Sequence, residues 1–211
     1  MVIQFNEKNI YVDPYGGVKA FSNIAKPNLI LITDIHGDHL NINTLNELNI
    51  DNSTPFIVPQ AVADKLPEEF HENLFVLSNN ENIKKLGINI KAIPMYNLPE
   101  EPDAKHPKGR ENGYILNMGG KNIYISGDTE DIAEMRKLKN IDIAFICMNL
   151  PYTMGINQAA NAVLDFQPKI VYPYHYRGKP NMSDTNAFKV LVNKENPNID
   201  VRLRNWYPDY K

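Results

Sequence analysis

The sequence contains one cysteine, Cys147, which excludes an intramolecular disulfide and any zinc site built from cysteines. Because Cys147 sits in the apolar run Ile143–Met148, it reads as a small buried core residue and not as a nucleophile. Apolar runs stop at five or six residues, as in Ala144–Met148, far short of the ~20 that a membrane helix needs. Neither sign of charge dominates: 22 basic and 25 acidic side chains leave a formal charge of −3. That near-balance argues against a general polyanion-binding surface and leaves room only for a local basic patch. Low-complexity segments are absent, and no positively charged segment followed by an apolar one opens the chain, so the expected location is the cytoplasm. What remains is ordinary globular material, 43% hydrophobic and 22% charged, which excludes global disorder. At 211 residues the expectation is a single domain over 1–211, on a prior of about 100–200 residues per domain.

Short β-rich runs fill the first half. Val2–Phe5 and Asn9–Val12 flank a polar turn and read as a hairpin. Asn28–Thr33 is a continuous apolar run, as in a strand buried on both faces, and Pro55–Val58 and Leu74–Leu77 are shorter strands. Ile42–Leu48 and Gln60–Leu66 have helical spacing, the former with Asn43 or Thr44 as cap. Ile88–Met95 is a strand in which Pro94 calls for an edge or a strand end. The stretch Asn97–Asn112 lacks periodicity and is longer than ordinary connections, the kind of loop that tends to carry function. Gly113–Met118 and Lys121–Ser126 form a hairpin around Gly119-Gly120. Beyond it, helices at Asp131–Leu138, Ile156–Phe166 and Asp184–Val192 alternate with strands at Ile141–Met148, Lys169–Tyr174 and Asp200–Arg204. Strands in consecutive runs, followed by strands alternating with helices, predict a layered α/β arrangement of two mixed sheets with outer helices.

The chemistry concentrates in Thr33–Leu40, TDIHGDHL, directly after an apolar run. Asp34 and His36, at i and i+2 of an extended segment, point the same way and can hold one cation together. Gly37 lets the backbone turn, so that Asp38 and His39 face a second position nearby. Imidazoles and carboxylates are the ligands that zinc, manganese and iron accept. A polar turn with solvated histidines is the alternative, but only five histidines occur in the chain and two of them lie here beside two aspartates. Other strand-like runs also deliver a His or Asp near one end: Asp13 after Asn9–Val12, Asp128 after Asn122–Ser126, and His175 after Ile170–Tyr174, with His106 in the long loop. His71 follows no strand and reads as a surface residue.

TDIHGDHL resembles the metal-binding motif His-x-His-x-Asp-His of the metallo-β-lactamase superfamily, and the likeness continues through IYVDP, HPKGRENGY, IYISGDTE and VYPYHY. The last stretches look most like the branch related to L-ascorbate-6-phosphate lactonases and N-acylphosphatidylethanolamine phospholipases. The resemblance implies a four-layer αββα sandwich of two mixed β-sheets flanked by helices, with one or two zinc ions at the sheet edge. It implies that His36 and His106 ligate the first metal, that Asp38, His39 and His175 serve the second, that Asp128 bridges both, and that Asp13 supports the metal loop as a structural residue. It also implies that the present chain opens inside the strand with which relatives begin the first hairpin. The chain departs from the motif at its first histidine, which is Asp34 here. If Asp34 coordinates, the position gains negative charge and shifts toward manganese, iron or magnesium; if it does not, that position is weak and one metal can suffice.

The reaction expected of such a site is hydrolysis by a metal-bound hydroxide, oriented by Asp38 or Asp128 as catalytic residues, at a carbonyl or phosphoryl centre. Lys105, Lys108 and Arg110 surround His106, and Arg177 and Lys179 follow His175. Lys108, Arg110, Arg177, Tyr96 and Tyr176 are thus the expected substrate-binding residues, for a small anionic ester, lactone or phosphodiester. The competing view is that these are solvated charges offset by Glu100, Glu101, Asp103 and Glu111. A nucleic-acid processing hydrolase would call for an extra basic arm or an appended domain, and a non-catalytic metal-binding protein would follow if Asp34 weakened the first position.

Overall fold

A computed structural model describes residues 1–208. The first sheet has the order β1-β2-β3-β4-β5, from Val2–Phe5, Lys8–Val12, Leu29–Leu31, Phe56–Val58 and Leu74–Val76. Its opening hairpin turns through Asn6 and Glu7, both at positive φ (44° and 61°), the backbone that matches the twist of a tight antiparallel pair. The other pairs are parallel. The second sheet runs β12-β11-β10-β9-β8-β7-β6, from Asp200–Val201, Ile170–Tyr174, Ile143–Cys147, Lys121–Ile125, Glu111–Met118, Ile88–Met95 and Asn82–Lys85. It is antiparallel from β6 to β9 and parallel beyond.

Side-chain alternation explains the layering. Along the first sheet Ile10, Val12, Leu29, Leu31 and Ile57 pack in one cluster with Ile90, Tyr114 and Leu116 of the second sheet. The alternate residues Tyr11, Ile30, Ile32, Phe56 and Val58 pack against Leu45 of α1 (Ile42–Glu47) and Val62 of α2 (Gln60–Ala63). Strands covered on both faces read as unbroken apolar runs, and NLILIT is one. On the second sheet's other face lie α4 (Ile156–Phe166) and α5 (Thr185–Glu195), which bring Ala159, Val163 and Phe188 into the larger cluster; a short α3 (Ala133–Arg136) precedes them. The result is the expected αββα sandwich. The buried Tyr114 hydroxyl reaches from the second sheet to the backbone oxygens of Ile32 (3.0 Å) and Ile57 (3.3 Å) in the first. No helix among the described residues is long and apolar enough to cross a membrane.

Several local expectations are corrected. Helix α1 is capped by Asn41, whose Oδ1 accepts from the Thr44 amide at 2.9 Å, and not by Asn43 or Thr44. The helices expected at Gln60–Leu66 and Asp131–Leu138 shorten to Gln60–Ala63 and Ala133–Arg136, and the last strand shortens to Asp200–Val201. Strand β6 was not anticipated: Asn82–Lys85 is polar and partly exposed, without the apolar alternation of a half-buried strand. Pro94 fits near a strand end, since β6 pairs with β7 only as far as Lys91.

Candidate metal centre

Functional side chains collect where strands end. Asp13 follows β2, Asp34 to His39 follow β3, Asp128 follows β9 and His175 follows β11, while His106 lies in the loop between β7 and β8. The backbone is bent hard at these points. Asp13 and His175 hold positive φ (46° and 44°), a region costly for most non-glycine residues. Gly127, before Asp128, sits at φ +63° with Met95 Sδ only 2.4 Å from where a Cβ would lie, so the position requires glycine.

Seven residues that the sequence singled out come together: Asp34, His36, Asp38, His39, His106, Asp128 and His175. Donor atoms of Asp34, His36, His106 and Glu111 lie within 4.8 Å of one another, and so do those of Asp38, His39 and His175 and those of Asp34, His39 and Asp128. Asp34, His39, His106, Glu111 and Asp128 are buried and form the floor, whereas His36, Asp38 and His175 are partly exposed at the mouth. Asp128 is the hub: its Oδ2 stands 3.5 Å from His39 Nε2 and 3.8 Å from His106 Nε2, and its Oδ1 stands 3.7 Å from His175 Nε2. Asp38 Oδ2 lies 3.3 Å from His175 Nε2.

Two imidazoles are fixed from behind by carboxylates. His39 Nδ1 lies 2.9 Å from Asp13 Oδ2, and Asp13 itself accepts from the Thr33 amide (2.8 Å) and hydroxyl (2.7 Å). His106 Nδ1 lies 3.0 Å from Glu111 Oε2, whose other oxygen accepts from Arg110 Nε at 2.9 Å. A carboxylate only accepts, so both Nδ1 atoms carry a proton, and both Nε2 atoms, the ones a cation could take, face Asp128. Asp34 supports the same orientation on the other side, with Oδ1 at 2.7 Å from His36 Nδ1 and Oδ2 at 2.8 Å from His106 Nδ1. Asp13 thus sits where a structural support of the metal loop would sit.

Glu111 is the residue that sequence reasoning missed. It was counted among solvated loop acids, yet it is fully buried, because β8 starts at Glu111 and carries it into the floor. The signal available was its place five residues after His106, and it carries no recognisable motif.

Opposite charges packed at this density shift the titrations. Burial would raise the Asp34 carboxyl, but His106 and His36 outweigh it and hold it well below the usual range. The hydrogen bond from His175 keeps Asp38 low against partial burial. Burial opposes charging of His106, yet Asp34 and Glu111 push its pKa up to about 9. In His39, too, the effect of burial is overcome, by Asp128 and Asp13, and its pKa is raised. Cys147 is buried with its thiol pushed up to about 12, so it stays protonated, as a core residue should.

The expected substrate-binding residues divide. Arg177 lines a cavity of about 520 Å³ that contains His36, Asp38, His106, Asp128 and His175, and Lys105, Tyr152, Asn149 and Lys179 line it too. Lys108 does not: it pairs with Glu100 at 2.8 Å and rests on the Tyr96 ring. Arg110 is held by Glu111. Tyr96 is buried with its hydroxyl on Glu134, and Tyr176 is buried with its hydroxyl on the Arg204 carbonyl. His71 is exposed and lies apart from the cluster.

Residues 1–175 match the family described as the Beta-lactamase superfamily domain. The chain belongs to the metallo-β-lactamase superfamily. It is 31% identical over 198 residues to a UPF0173 metal-dependent hydrolase of Pyrococcus abyssi, with 88% of this chain and 85% of the relative covered. A crystal structure from Parabacteroides distasonis ATCC 8503, assigned as a metal-dependent hydrolase, superposes with a TM-score of 0.83 at 37% identity, covering 96% of this chain and 87% of that one. A metallo hydrolase from Ignicoccus hospitalis shares the fold, with a TM-score of 0.79 at 24% identity, covering 97% and 90%. This member of the superfamily is therefore a metal-dependent hydrolase.

Proposed function

We propose that the enzyme hydrolyses a small anionic ester, lactone or phosphodiester at a centre for two divalent cations, zinc by default. In this reading His36 and His106, with Asp34, hold the first cation; Asp38, His39 and His175 hold the second; and Asp128 lies between. The observation that carries it is the set of buried polar atoms without a hydrogen-bond partner. His39 Nε2, Asp128 Oδ1 and His175 Nδ1 are in this state, on residues of the cluster. Buried polar atoms are costly unless something satisfies them, and a divalent cation does so for imidazole and carboxylate together. Asp34 adds a harder, anionic ligand to the first position, which favours manganese or iron there.

When bound, such cations polarise a substrate oxygen and acidify water, which on zinc titrates near ~7 in place of ~15.7. The chain's own residues do the rest. Asp38 at the mouth and Asp128 at the floor are both held ionised, so each can orient the attacking water by accepting a hydrogen bond from it. Asp13 and Glu111 keep His39 and His106 in the tautomer that offers Nε2. Among the described residues the two candidate side-chain nucleophiles are disengaged: Cys147 is buried and protonated, and the Ser126 hydroxyl donates to the Gly127 carbonyl at 2.8 Å.

The test is metal analysis of the purified protein, followed by assays with zinc, manganese or iron on p-nitrophenyl acetate, bis(p-nitrophenyl) phosphate and a simple lactone. Turnover on at least one class, lost with chelator and in His175→Ala, is expected. A protein with full metal content and no hydrolysis on any class would overturn the reading.

A further inference from the structure

Of the buried residues that line the cavity, His106 and Asp128 belong to the metal cluster and Gly178 has no side chain; the fourth is Asn149, which is 2% exposed. It lies just past β10, whose Cys147 stands opposite Tyr174 of β11, and the Met148 amide before it donates to the His175 carbonyl at 3.4 Å. Asn149 is thereby set beside the His175 end of the centre. Its other polar groups are occupied. The backbone amide donates to Thr153 Oγ1 at 3.0 Å, the backbone carbonyl accepts from the Tyr152 amide at 2.9 Å, and Oδ1 accepts from the Thr153 hydroxyl at 2.6 Å. Thr153 is buried and this is the one proton its hydroxyl can give, which fixes the carboxamide with its oxygen toward Thr153 and Nδ2 away from it. Nδ2 has no partner among the described residues and, unlike the orphaned atoms of the cluster, is not closed off, so it opens on the cavity. The frame around it is braced. The Lys179 amide donates to the Leu150 carbonyl at 2.8 Å, a Cβ on Gly178 would lie 2.4 Å from the same oxygen, and the Ser183 hydroxyl holds the Met148 carbonyl. The turn itself uses only Oδ1, which an aspartate would supply equally; what the carboxamide adds is a neutral, immobile N–H donor.

We infer that Asn149 is a catalytic residue of the hydrolysis, its Nδ2 donating a hydrogen bond to the substrate oxygen that gains negative charge as water adds. The inference rests on the hydrolase reading for the reaction itself. As the bond from the attacking oxygen to carbon or phosphorus forms, an electron pair of the C=O or P=O bond is pushed onto that oxygen. The pair returns as the bond to the leaving oxygen breaks, and one proton of the water ends on the departing group. Asn149 neither gains nor loses a proton. A fixed donor of this kind needs no reorganisation when the charge appears, and its hydrogen bond strengthens with that charge, so it favours the transition state over the bound substrate. Thr153 acts through Asn149 as a positioning residue, by holding the carboxamide in this orientation.

The test is steady-state kinetics of the metal-loaded enzyme on p-nitrophenyl acetate, bis(p-nitrophenyl) phosphate and a simple lactone, in wild type, Asn149→Ala, Asn149→Asp, Thr153→Val and Thr153→Ser. Metal content and thermal midpoint are measured on each. Asn149→Asp keeps the acceptor for Thr153 and loses the donor, whereas Asn149→Ala loses both without adding charge. Both should lose about 100-fold or more in kcat on the class that wild type hydrolyses, with KM within about threefold and full metal content. Thr153→Val releases the carboxamide and should lose about tenfold, while Thr153→Ser keeps the hydroxyl and should recover most of it. A kcat within about threefold of wild type in both Asn149 variants would overturn the inference. So would a loss that tracks metal content or thermal midpoint from variant to variant, which is what a merely structural asparagine would give. Failure of the hydrolase reading looks different: wild type holds its metal and turns over none of the three substrates, and this inference then falls with it.

Discussion

Replacing Glu111 by Gln isolates the part played by a carboxylate that touches no substrate. The side chain keeps its shape but loses its charge, at a site with no solvent exposure. Four contacts change: His106 Nδ1 at 3.0 Å, Arg110 Nε at 2.9 Å, Arg110 Nη2 at 2.8 Å and the Ile35 amide at 3.5 Å. Arg110 is partly exposed and recovers water, so its loss is small, about 1 kcal/mol or less. His106 has no such recourse. A charge-assisted hydrogen bond of about 1.5–3 kcal/mol becomes a neutral one of about 0.5–1.5 kcal/mol, and the tautomer presenting Nε2 is less firmly held. Supporting carboxylates of this kind are worth about 10–100-fold in metal affinity, or roughly 1.4–2.8 kcal/mol. The assay is zinc competition against a chromophoric chelator, with urea unfolding in EDTA as the control for the metal-free fold. Glu111→Gln should lose at least tenfold in affinity while still unfolding cooperatively, somewhat earlier than wild type. An affinity within threefold of wild type would refute the claim that Glu111 sets the orientation of His106.

Other perturbations have separable outcomes. Tyr114→Phe removes the hydroxyl shared by the Ile32 and Ile57 carbonyls and should cost about 1–3 kcal/mol in urea unfolding; no change would mean those carbonyls find water. Gly127→Ala forces a Cβ against Met95 Sδ at positive φ; it should destabilise by about 2 kcal/mol or more and lower metal content through Asp128, both readable by thermal denaturation and atomic emission. Asp142 has its pKa held at about 2 by Lys169 and by the Asn122 amide, below the unfolded value of about 3.9, so its contribution is present above pH ~4 and lost as pH falls toward ~2. Asp142→Asn should therefore unfold earlier than wild type at pH 7, with the gap closing below pH ~4 in a pH series of thermal midpoints.

Much of the frame was legible because the decisive signals are local. The run NLILIT announces a doubly covered strand, and Gly119-Gly120 announces a hairpin that the structure closes with both glycines at positive φ (58° and 70°). The clustering of Asp34, His36, Asp38 and His39 needed only an extended segment and a turn. Contacts made by long-range docking were illegible. Glu111 looked like one more acid in a charged loop, and Lys108 and Arg110 looked like free cations beside His106, because nothing local says that one enters β8 and the others find acids. Tyr96 and Tyr176 failed as candidate lining for the same reason, since proximity in sequence to a ligand says nothing about which way a ring turns.

The two sheets contribute unequally placed halves of one centre: Asp34 to His39 hang from the first, while His106, Asp128 and His175 hang from the second. A cation gripped by both would act as a rivet across the seam of the sandwich. In the proposed reading the first cation takes His106 besides Asp34 and His36, and the second takes His175 besides Asp38 and His39, so neither is fully held until the two sheets have met. Loss of the cation should accordingly loosen the seam between the sheets before either sheet itself frays.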